Sequence, residues 1–280
     1  MNSSFLIGIY DDLYSFDLKN RFAPAKPTKG YKELNITPPL KNGIAAHEQS
    51  ECFYFGEYVN DKQRPIRIFR ISNRGTKIEC AFEFPKGQIK HVHNIIYDSF
   101  RNRLWVTTGD KDNESGIFYT DDEFNTLIKL GGGDQSWRAV SVIPRKNDLI
   151  WGMDAGKDAP SSAINKIYKY NFNTKEKTEE AIIGNPAYLS IQSECGNIFM
   201  GINFEPGRKQ DTIEQASIWA YGGKSWSKIR AFPYQEGTVK GSKYGFIYLP
   251  SGIFPENHMI YAALNIRGRK YASYLIKTLK

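Results

Sequence analysis

The stretch CFYFGEY, residues 52–58, carries the pattern that decides the fold of this chain. An apolar run ends in Gly and is followed by an acidic side chain, Glu57. The pattern recurs in LWVTTGD with Asp110, LIWGMDA with Asp154, IFMGINFEP with Asn203 and Glu205, and more weakly in YAALN with Asn265. Successive copies are about 44 to 62 residues apart, the length of a four-stranded propeller blade. The repeat therefore predicts an all-β propeller.

Each copy lies inside a run of strand-like segments that are separated by turn residues. The best-formed unit spans about residues 42–88, with strands in GIAAHEQ, ECFYFGEYV, PIRIFRI and KIECAFEF. Further units span about 90–131, 135–184 and 186–235. The last unit begins near residue 243 and offers only KYGFIYL, MIYAALNI and YASYLIKTL. It is therefore one strand short.

The N-terminal segment decides the number of blades. If YKELNI (31–36) completes the last unit, there are five blades; if FLIGIY (5–10) and LYSFDL (13–18) begin a blade of their own, there are six. Five strong first strands favour five blades, with six allowed. We expect four-stranded antiparallel sheets in a single domain over residues 1–280, with N-terminal strands closing the ring against C-terminal ones, because closure removes exposed sheet edges.

The bulk composition excludes several classes of protein. No apolar stretch is long enough to span a membrane. The start, MNSSFLIGIYDDLYSF, lacks the basic region of a secretory signal, and three cysteines without close spacing argue against a disulfide framework. The net charge of +8 comes from scattered basic residues without a basic helix. We therefore predict a cytoplasmic protein that does not bind nucleic acid.

Remnants of a known turn motif lie between the third and fourth strands of several units. SNRGTKIE (72–79) keeps the Ser, Gly and Thr of the motif S-x-D-x-G-x-T-W; YTDDEFNTL (119–127) keeps acidic residues and a Thr, and YGGKSWSKI (221–229) keeps Gly, Ser and Trp226. The chain thus resembles the BNR/Asp-box group of sialidase-like propellers, which often act in glycan metabolism. The Asp-box is a structural turn, so the resemblance implies fold and not activity. The sialidase catalytic set is not recognisable in the sequence.

The propeller topology brings separate positions to one rim. In each blade the first strand starts, and the second strand ends, at the same end of the central channel, where polar groups converge into the default site. The first-strand starts supply His91, His93, Gln135, Trp137, Arg138, Tyr188 and Tyr244, with His47 slightly deeper in its strand; the second-strand ends supply Glu57, Asp110, Asp154, Glu205 and Asn265. We predict a site at this channel mouth.

The HVH segment, residues 91–93, should place two imidazoles on one side of a strand, about 6 to 7 Å apart. The pair suits acid–base catalysis near neutral pH. It also suits a divalent metal with Asp110 as third ligand. A hydrogen-bonded pair that shapes the channel wall is the third alternative. The metal, if any, is unknown.

These residues together suggest a carbohydrate-active protein acting on a bacterial-type glycan. We assign His91, His93, Asp110 and Asp154 to catalysis, and Arg138, Trp137, Gln135, Glu57, Tyr188, Tyr244 and His47 to substrate binding. A glycoside hydrolase needs two carboxylates, whereas a polysaccharide lyase needs a base such as His and an Arg anchor for an acidic sugar. A salt bridge from Arg138 to the acidic ring is the equal alternative to the anchor role. The alternatives are a non-catalytic glycan-binding or scaffold propeller and a protein-interaction propeller.

Overall fold

The computed structural model describes most of the chain, namely residues 5–9, 12–20, 24–60, 64–208, 213–237, 243–255, 258–268 and 273–277. Tyr10 of FLIGIY and the two ends of YASYLIKTL lie outside the described residues. The chain divides into two compact units. The first contains residues 1–109 and 117–131, and the second contains residues 110–116 and 132–280.

The first unit holds three small antiparallel sheets, whose strands run in chain order across each sheet. The N-terminal sheet contains β1 (Phe5–Ile9), β2 (Leu13–Asp17) and β3 (Lys26–Pro27). The next contains β4 (Ile44–His47), β5 (Cys52–Gly56), β6 (Ile66–Ser72) and β7 (Lys77–Phe84). The third contains β8 (His91–Asp98), β9 (Arg103–Gly109), β10 (Gly116–Thr120) and β11 (Ile128–Gly132).

The second unit also holds three sheets. The first contains β12 (Val142–Pro144), β13 (Asp148–Gly152), β14 (Asn165–Asn171) and β15 (Glu176–Gly184). The next contains β16 (Ala187–Ser193), β17 (Ile198–Ile202), β18 (Gln215–Tyr221) and β19 (Trp226–Pro233), with the short β21 (Ile253–Phe254) added in parallel beside β16. The last contains β20 (Phe246–Tyr248), β22 (His258–Leu264) and β23 (Ser273–Lys277).

In the part of the chain that the structure describes, six small sheets and almost no helix make this an all-β propeller with six blades. The fold prediction is confirmed, with the six blades that the sequence allowed rather than the five that it favoured. The five-blade alternative needed YKELNI as a strand, but residues 31–35 form turns, and the N-terminal strands build a sheet of their own. The expectations of one domain over 1–280 and of ring closure between the chain ends stay predictions.

Apolar side chains from both faces of the inner strands fill the core of each unit. In β6, Ile66, Ile68 and Ile71 have no exposed surface. The aromatic residues that marked the repeats are buried as well: Tyr54, Phe55, Trp105 and Trp151 are each fully enclosed. Burying such large apolar side chains provides the main driving force for folding.

The turn between β10 and β11 is closed by its own side chains. Asp122, between β10 and β11, accepts hydrogen bonds from the Thr120 hydroxyl at 2.8 Å and from the Thr126 backbone N–H at 2.9 Å. Phe124 occupies a left-handed backbone conformation (φ 75°) that glycine adopts more easily. The hydrogen bond from the Thr126 backbone is the main reason why the pKa of Asp122 is lowered.

Among the described residues, no helix has the length and apolar character needed to cross a bilayer.

Candidate functional site

The two histidines of HVH lie at the start of β8, where the strand is irregular. In the β8–β9 register, Val92 pairs with Thr108 and Asn94 pairs with Thr107, so His93 is the extra residue of a β-bulge. A bulge bends the strand and redirects the side chain at that point. The two Nε2 atoms lie 3.1 Å apart and the ring centroids 5.0 Å apart. Both imidazoles are buried, and the bulge brings them closer than a regular strand would.

The protonation of His91 follows from its neighbours. Its Nδ1 lies 2.8 Å from the backbone oxygen of Val59, which can only accept a hydrogen bond, so Nδ1 carries a proton. The ring of Tyr58 stacks on the imidazole with centroids 4.0 Å apart. In the neutral imidazole, Nε2 of His91 therefore presents a lone pair, as a metal-ligating or proton-accepting histidine must.

A metal-ligand set is also tied to this strand. Asp110 follows Gly109, which is the register partner of His91, so the chain itself keeps its carboxylate beside the bulge. His91, His93 and Asp110 form a group that could hold a metal ion. Two imidazoles and one carboxylate form a donor set that suits zinc or manganese.

Glu57, which follows β5, is fully enclosed and bound by two arginines. Its carboxylate accepts hydrogen bonds from Arg64 and Arg67, the closest being 2.9 Å from Arg67 Nη2, and from the Thr37 backbone N–H at 3.0 Å. Burial opposes ionisation, but the hydrogen bonds and charge of Arg67 outweigh it, so the pKa of Glu57 is lowered. The position supports a structural ion pair, and the predicted role in substrate binding stays a prediction.

His47 lies apart from these groups. It is the last residue of β4 and pairs with Cys52, whereas Glu57 follows the opposite end of β5, beyond the pair formed by Ile44 and Phe55. Its Nδ1 is 2.9 Å from the Ser50 hydroxyl in the hairpin turn. Burial lowers the pKa of His47. The structure therefore does not bring His47 together with Glu57.

Arg138 lies at the centre of the second cluster, which belongs entirely to the second unit. Its guanidinium is 3.2 Å from Asp110, 3.4 Å from Asp154 and 3.1 Å from Asp158, and it donates to the Asp110 backbone oxygen at 2.9 Å. Burial disfavours the charged guanidinium, but the three carboxylates outweigh it and raise the pKa of Arg138. Of the sequence alternatives for Arg138, the salt bridge to the acidic residues is the one observed.

Asp154 is a buried carboxyl group whose ionised form is disfavoured. Burial raises its pKa well above the ordinary value, and the nearby charge of Glu205 raises it further, while Arg138 acts in the opposite direction. Its backbone N–H donates to the Arg138 carbonyl at 2.9 Å, which fixes the end of β13 against residue 138. A buried carboxyl group with a raised pKa is a candidate general acid.

Glu205 accepts hydrogen bonds from the Tyr188 hydroxyl and, at 3.0 Å, from the Lys157 backbone N–H. Gly156 leaves the space that this contact needs: a β-carbon there would lie 2.9 Å from Glu205 Oε2 and 3.1 Å from Asp158 Oδ1. The loop of residues 156–158 did not emerge from the sequence as part of the site. The only signal was a glycine two residues after Asp154.

Tyr188 reaches Glu205 from another bulge. In the β16–β17 register, Ala187 pairs with Ile202 and Leu189 pairs with Gly201, which leaves Tyr188 as the extra residue. Burial is the main cause that raises the pKa of Tyr188, and the neighbouring carboxylates add to it. Tyr188 in β16 thus occupies the kind of position that His93 occupies in β8.

The remaining predicted residues each have defined contacts. Gln135 is buried and donates from Nε2 to the Asp110 backbone oxygen at 2.9 Å and to Asp112 at 2.8 Å. The Lys157 ammonium lies 5.5 Å from the ring of Tyr244. Trp137 stacks on Trp151, and the Lys177 ammonium lies 4.3 Å from the Trp137 ring.

Comparison of this chain with known proteins gives information about its fold. No family model matches the chain, and no curated protein matches it. Among solved structures it is similar to a GH74 xyloglucanase from Xanthomonas campestris, with 12% identity and a TM-score of 0.63 over 95% of this chain and 41% of that one. It is also similar to an oligogalacturonate lyase in complex with manganese, with 10% identity and a TM-score of 0.60 over 99% of this chain and 74% of that one.

A third similar structure is a nidogen/laminin complex, with 11% identity and a TM-score of 0.55 over 97% of this chain and 95% of that one. The chain spans less than half the length of the xyloglucanase. At such identities the likeness shows a shared propeller fold alone, because one fold hosts many unrelated activities.

Proposed function

We propose that this protein is carbohydrate-active and that the cluster around Arg138 is a glycoside hydrolase site. The observation that carries the proposal is a pair of buried carboxylates in unlike surroundings. Asp154 has a strongly raised pKa, whereas Glu205 is held by the Tyr188 hydroxyl and the Lys157 backbone. Two carboxyl groups with different environments are the chemical requirement for glycosidic cleavage.

Each carboxyl group then has a distinct role. Asp154, whose pKa is raised by burial, acts as the general acid and protonates the leaving-group oxygen of the glycosidic bond. Glu205 acts as the carboxylate that either activates water or attacks the sugar, and its two hydrogen bonds fix its orientation. The 47% exposed side chain of Asp158 marks the side on which the cluster meets solvent.

The same cluster speaks against a lyase that would use Arg138 as its anchor. A lyase acting on an acidic sugar needs a cation that is available to the substrate carboxylate. Arg138 already contacts Asp110, Asp154 and Asp158. An incoming carboxylate would meet several negative charges there and would have to displace one of them, so hydrolysis is the better-supported reaction.

Two of the similar structures agree with a carbohydrate role for the fold. One is named as a xyloglucanase and one as an oligogalacturonate lyase. These names describe those proteins. For this chain, the main support for a carbohydrate role is its own pair of buried carboxylates. The Asp-box relationship and the placement of the site at the channel mouth remain part of this proposal.

The test is a panel of neutral and acidic polysaccharides, with new reducing ends reporting hydrolysis and ultraviolet absorbance of unsaturated sugars reporting a lyase. We expect hydrolysis, and a loss in kcat of about 100-fold or more in Asp154→Asn and in Glu205→Gln. Glu176→Gln, an exposed acidic residue on β15, is the matched control and should behave as wild type.

Absence of turnover on every substrate would overturn the enzyme proposal. If oligosaccharides still bind, the alternative of a non-catalytic glycan-binding or scaffold propeller takes its place. Equal turnover in the wild type and in both carboxamide variants would overturn the assignment of Asp154 and Glu205.

A second candidate is metal-assisted cleavage at His91, His93 and Asp110. The observation that favours it is the tautomer of His91, whose Nδ1 is held by the Val59 carbonyl so that Nε2 has a lone pair. A bound divalent ion would supply a Lewis acid for an acidic sugar. His91, His93 and Asp110 would together hold the ion. Unsaturated products that depend on added metal would favour this candidate over the hydrolase.

A further inference from the structure

A cavity of about 310 Å³ opens beside the Arg138 cluster, within the second unit. Its wall contains Asp112, Asp134, Ser136 and Tyr168 on one hand and the small apolar side chains of Pro160 and Ala163 on the other. This volume is at the lower end of the range for small-molecule sites. It suits one or two sugar rings rather than a large cofactor.

The two aspartates are held in place from behind. Asp112 Oδ1 accepts a hydrogen bond of 2.8 Å from Gln135 Nε2, and Asp134 Oδ1 accepts one of 2.7 Å from the Ser136 backbone N–H. No other described residue has a hydrogen bond to the second oxygen of either carboxylate. Both aspartates are exposed to solvent. Fixed carboxylates with a remaining oxygen are good acceptors for the hydroxyl groups of a sugar.

The cavity also has an apolar wall, which suits a sugar bound by these carboxylates. Ile164 lines the cavity although it is a large apolar side chain that is 50% exposed. Tyr168 adds an aromatic ring to the lining. A pyranose has one face of C–H groups and a rim of hydroxyls, and it therefore matches a site with an apolar wall and polar acceptors at its edge.

The charge of the cavity selects among sugars. Asp112 and Asp134 are negative. Lys166, the one lysine among the described lining residues, is bound to Glu179 at 2.7 Å, and Lys177, which donates a hydrogen bond to Ser136 beside the cavity, offsets at most one of the two negative charges. A uronate carboxylate would enter a field of its own sign, whereas an uncharged sugar would not. We propose that this cavity is a subsite for an uncharged glycan, which names the substrate class of the hydrolase proposed above and rests on that function.

Gln135 connects the subsite to the proposed reacting groups. From the wall of the cavity, its Nε2 also donates to the Asp110 backbone oxygen at 2.9 Å, and its Oε1 is 3.5 Å from Arg138 Nη1. A glycan seated in the cavity therefore lies next to the cluster that contains Asp154.

The test measures binding without turnover, in full-length protein carrying Glu205→Gln. Uncharged xylo- and gluco-oligosaccharides and oligogalacturonates are titrated by calorimetry. We expect binding of an uncharged oligosaccharide and at least about tenfold weaker binding of the acidic one. Adding Asp112→Leu, which removes a charged hydrogen-bond acceptor, should weaken the uncharged ligand about tenfold or more. Adding Glu194→Gln, an exposed change elsewhere, should have no effect.

Asp112→Asn serves as a second variant that keeps the contact with Gln135, and it should reduce the preference against the acidic ligand. Thermal unfolding checks that each variant is folded. Tighter binding of oligogalacturonate than of uncharged oligosaccharides, or identical affinities in the Asp112 variants and the parent, would overturn the subsite. Hydrolysis by wild type with affinities unaffected by Asp112 rejects the subsite but not the function. Binding that depends on Asp112, without turnover in wild type, rejects the function but not the subsite.

Discussion

A β-carbon on Gly152, at the end of β13, would lie 2.3 Å from the Cβ of Ala187, at the start of β16. Real Cβ atoms do not approach so closely, so the sheet that contains β13 can meet the first strand of the next sheet only because residue 152 is glycine. The same relationship holds for Gly56 with Val92 at 2.4 Å and for Gly201 with the backbone oxygen of Ile247 at 2.9 Å. The glycine of the repeat is thus a packing requirement between successive sheets.

We predict that Gly152→Ala lowers the free energy of unfolding by about 1–3 kcal/mol, because the added methyl group overpacks this contact. The double variant Gly152→Ala/Ala187→Gly moves the methyl group across the contact and should recover part of the loss. Chemical denaturation of the two proteins measures the difference.

Gly222 is the matched control for this prediction. A β-carbon there has no heavy atom closer than 3.7 Å, and its backbone is not left-handed. Gly222→Ala should leave stability unchanged or raise it slightly. Equal losses at Gly152 and Gly222 would contradict the packing explanation.

Arg138→Met should destabilise the protein by about 3–5 kcal/mol near neutral pH, because it leaves the carboxylates around it without their buried cation. The loss should shrink in acid, where these carboxyl groups become protonated. Asp154→Asn in the same chain should restore part of the stability, because the two side chains are in contact. Denaturation at several pH values measures all three effects.

Lys77→Gln provides the comparison for Arg138. Lys77 forms a surface ion pair with Glu79 and its side chain is 57% exposed, so its loss should cost less than about 1 kcal/mol. A loss at Arg138 no larger than that at Lys77 would show that the buried cluster contributes little.

Asp154→Asn should change how stability depends on pH. The raised pKa of Asp154 means that the folded protein binds this proton more tightly than the unfolded chain does. The stabilisation that this proton provides is complete below the pKa of Asp154 in the unfolded chain, and it is lost as the pH rises through its pKa in the folded protein. The variant has no carboxyl group at this position and does not lose this stabilisation. Its melting temperature should therefore rise relative to wild type from acid to neutral pH and above.

Glu57→Gln should show the opposite trend. The pKa of Glu57 is lowered in the fold, so its stabilisation is present above the unfolded pKa and is lost as the pH falls through the folded one. Its melting temperature should therefore be furthest below wild type near neutral pH. Parallel pH profiles for the two variants would refute both pKa directions.

Added manganese or zinc should raise the melting temperature of the wild-type protein if His91, His93 and Asp110 bind the ion. At a free metal concentration of 100 times Kd, binding stabilises the folded state by about 2.7 kcal/mol, which corresponds to roughly 5 °C for a chain of this size. His93→Ala should abolish the shift. His258→Gln, at an exposed histidine, should retain it, and equal shifts in both variants would exclude this ligand set.

Much of the fold could be read from the order of residues. The strands of residues 42–88 were predicted to within a few residues, because apolar alternation and turn-forming residues are local features of the sequence. The number of blades was harder, since YKELNI has the composition of a strand but forms turns. The short β21 pairs in parallel with β16, a long-range contact that no local pattern signals.

Strand ends bring some of the predicted site residues together, whereas their roles stay predictions. Asp110, Arg138 and Asp154 were proposed from topology, and the structure brings them into direct contact. Glu57 and His47 were proposed by the same reasoning, but Glu57 is held by Arg64 and Arg67, and His47 is at the opposite end of its sheet. The loop of residues 156–158 was missed because no local sequence pattern shows which partners a loop side chain contacts once the backbone has folded.

The sequence by itself determined the repeat, the β class and the glycine positions, because these depend on side-chain size and on the alternation of neighbours along a strand. Only the tertiary structure decided which charges meet. The bulge at His93, the enclosure of Arg138 by three carboxylates and the raised pKa of Asp154 all depend on burial and on distances between residues far apart in the chain. Burial strengthens electrostatic interactions and disfavours isolated charges, and no pattern of neighbouring residues reports it.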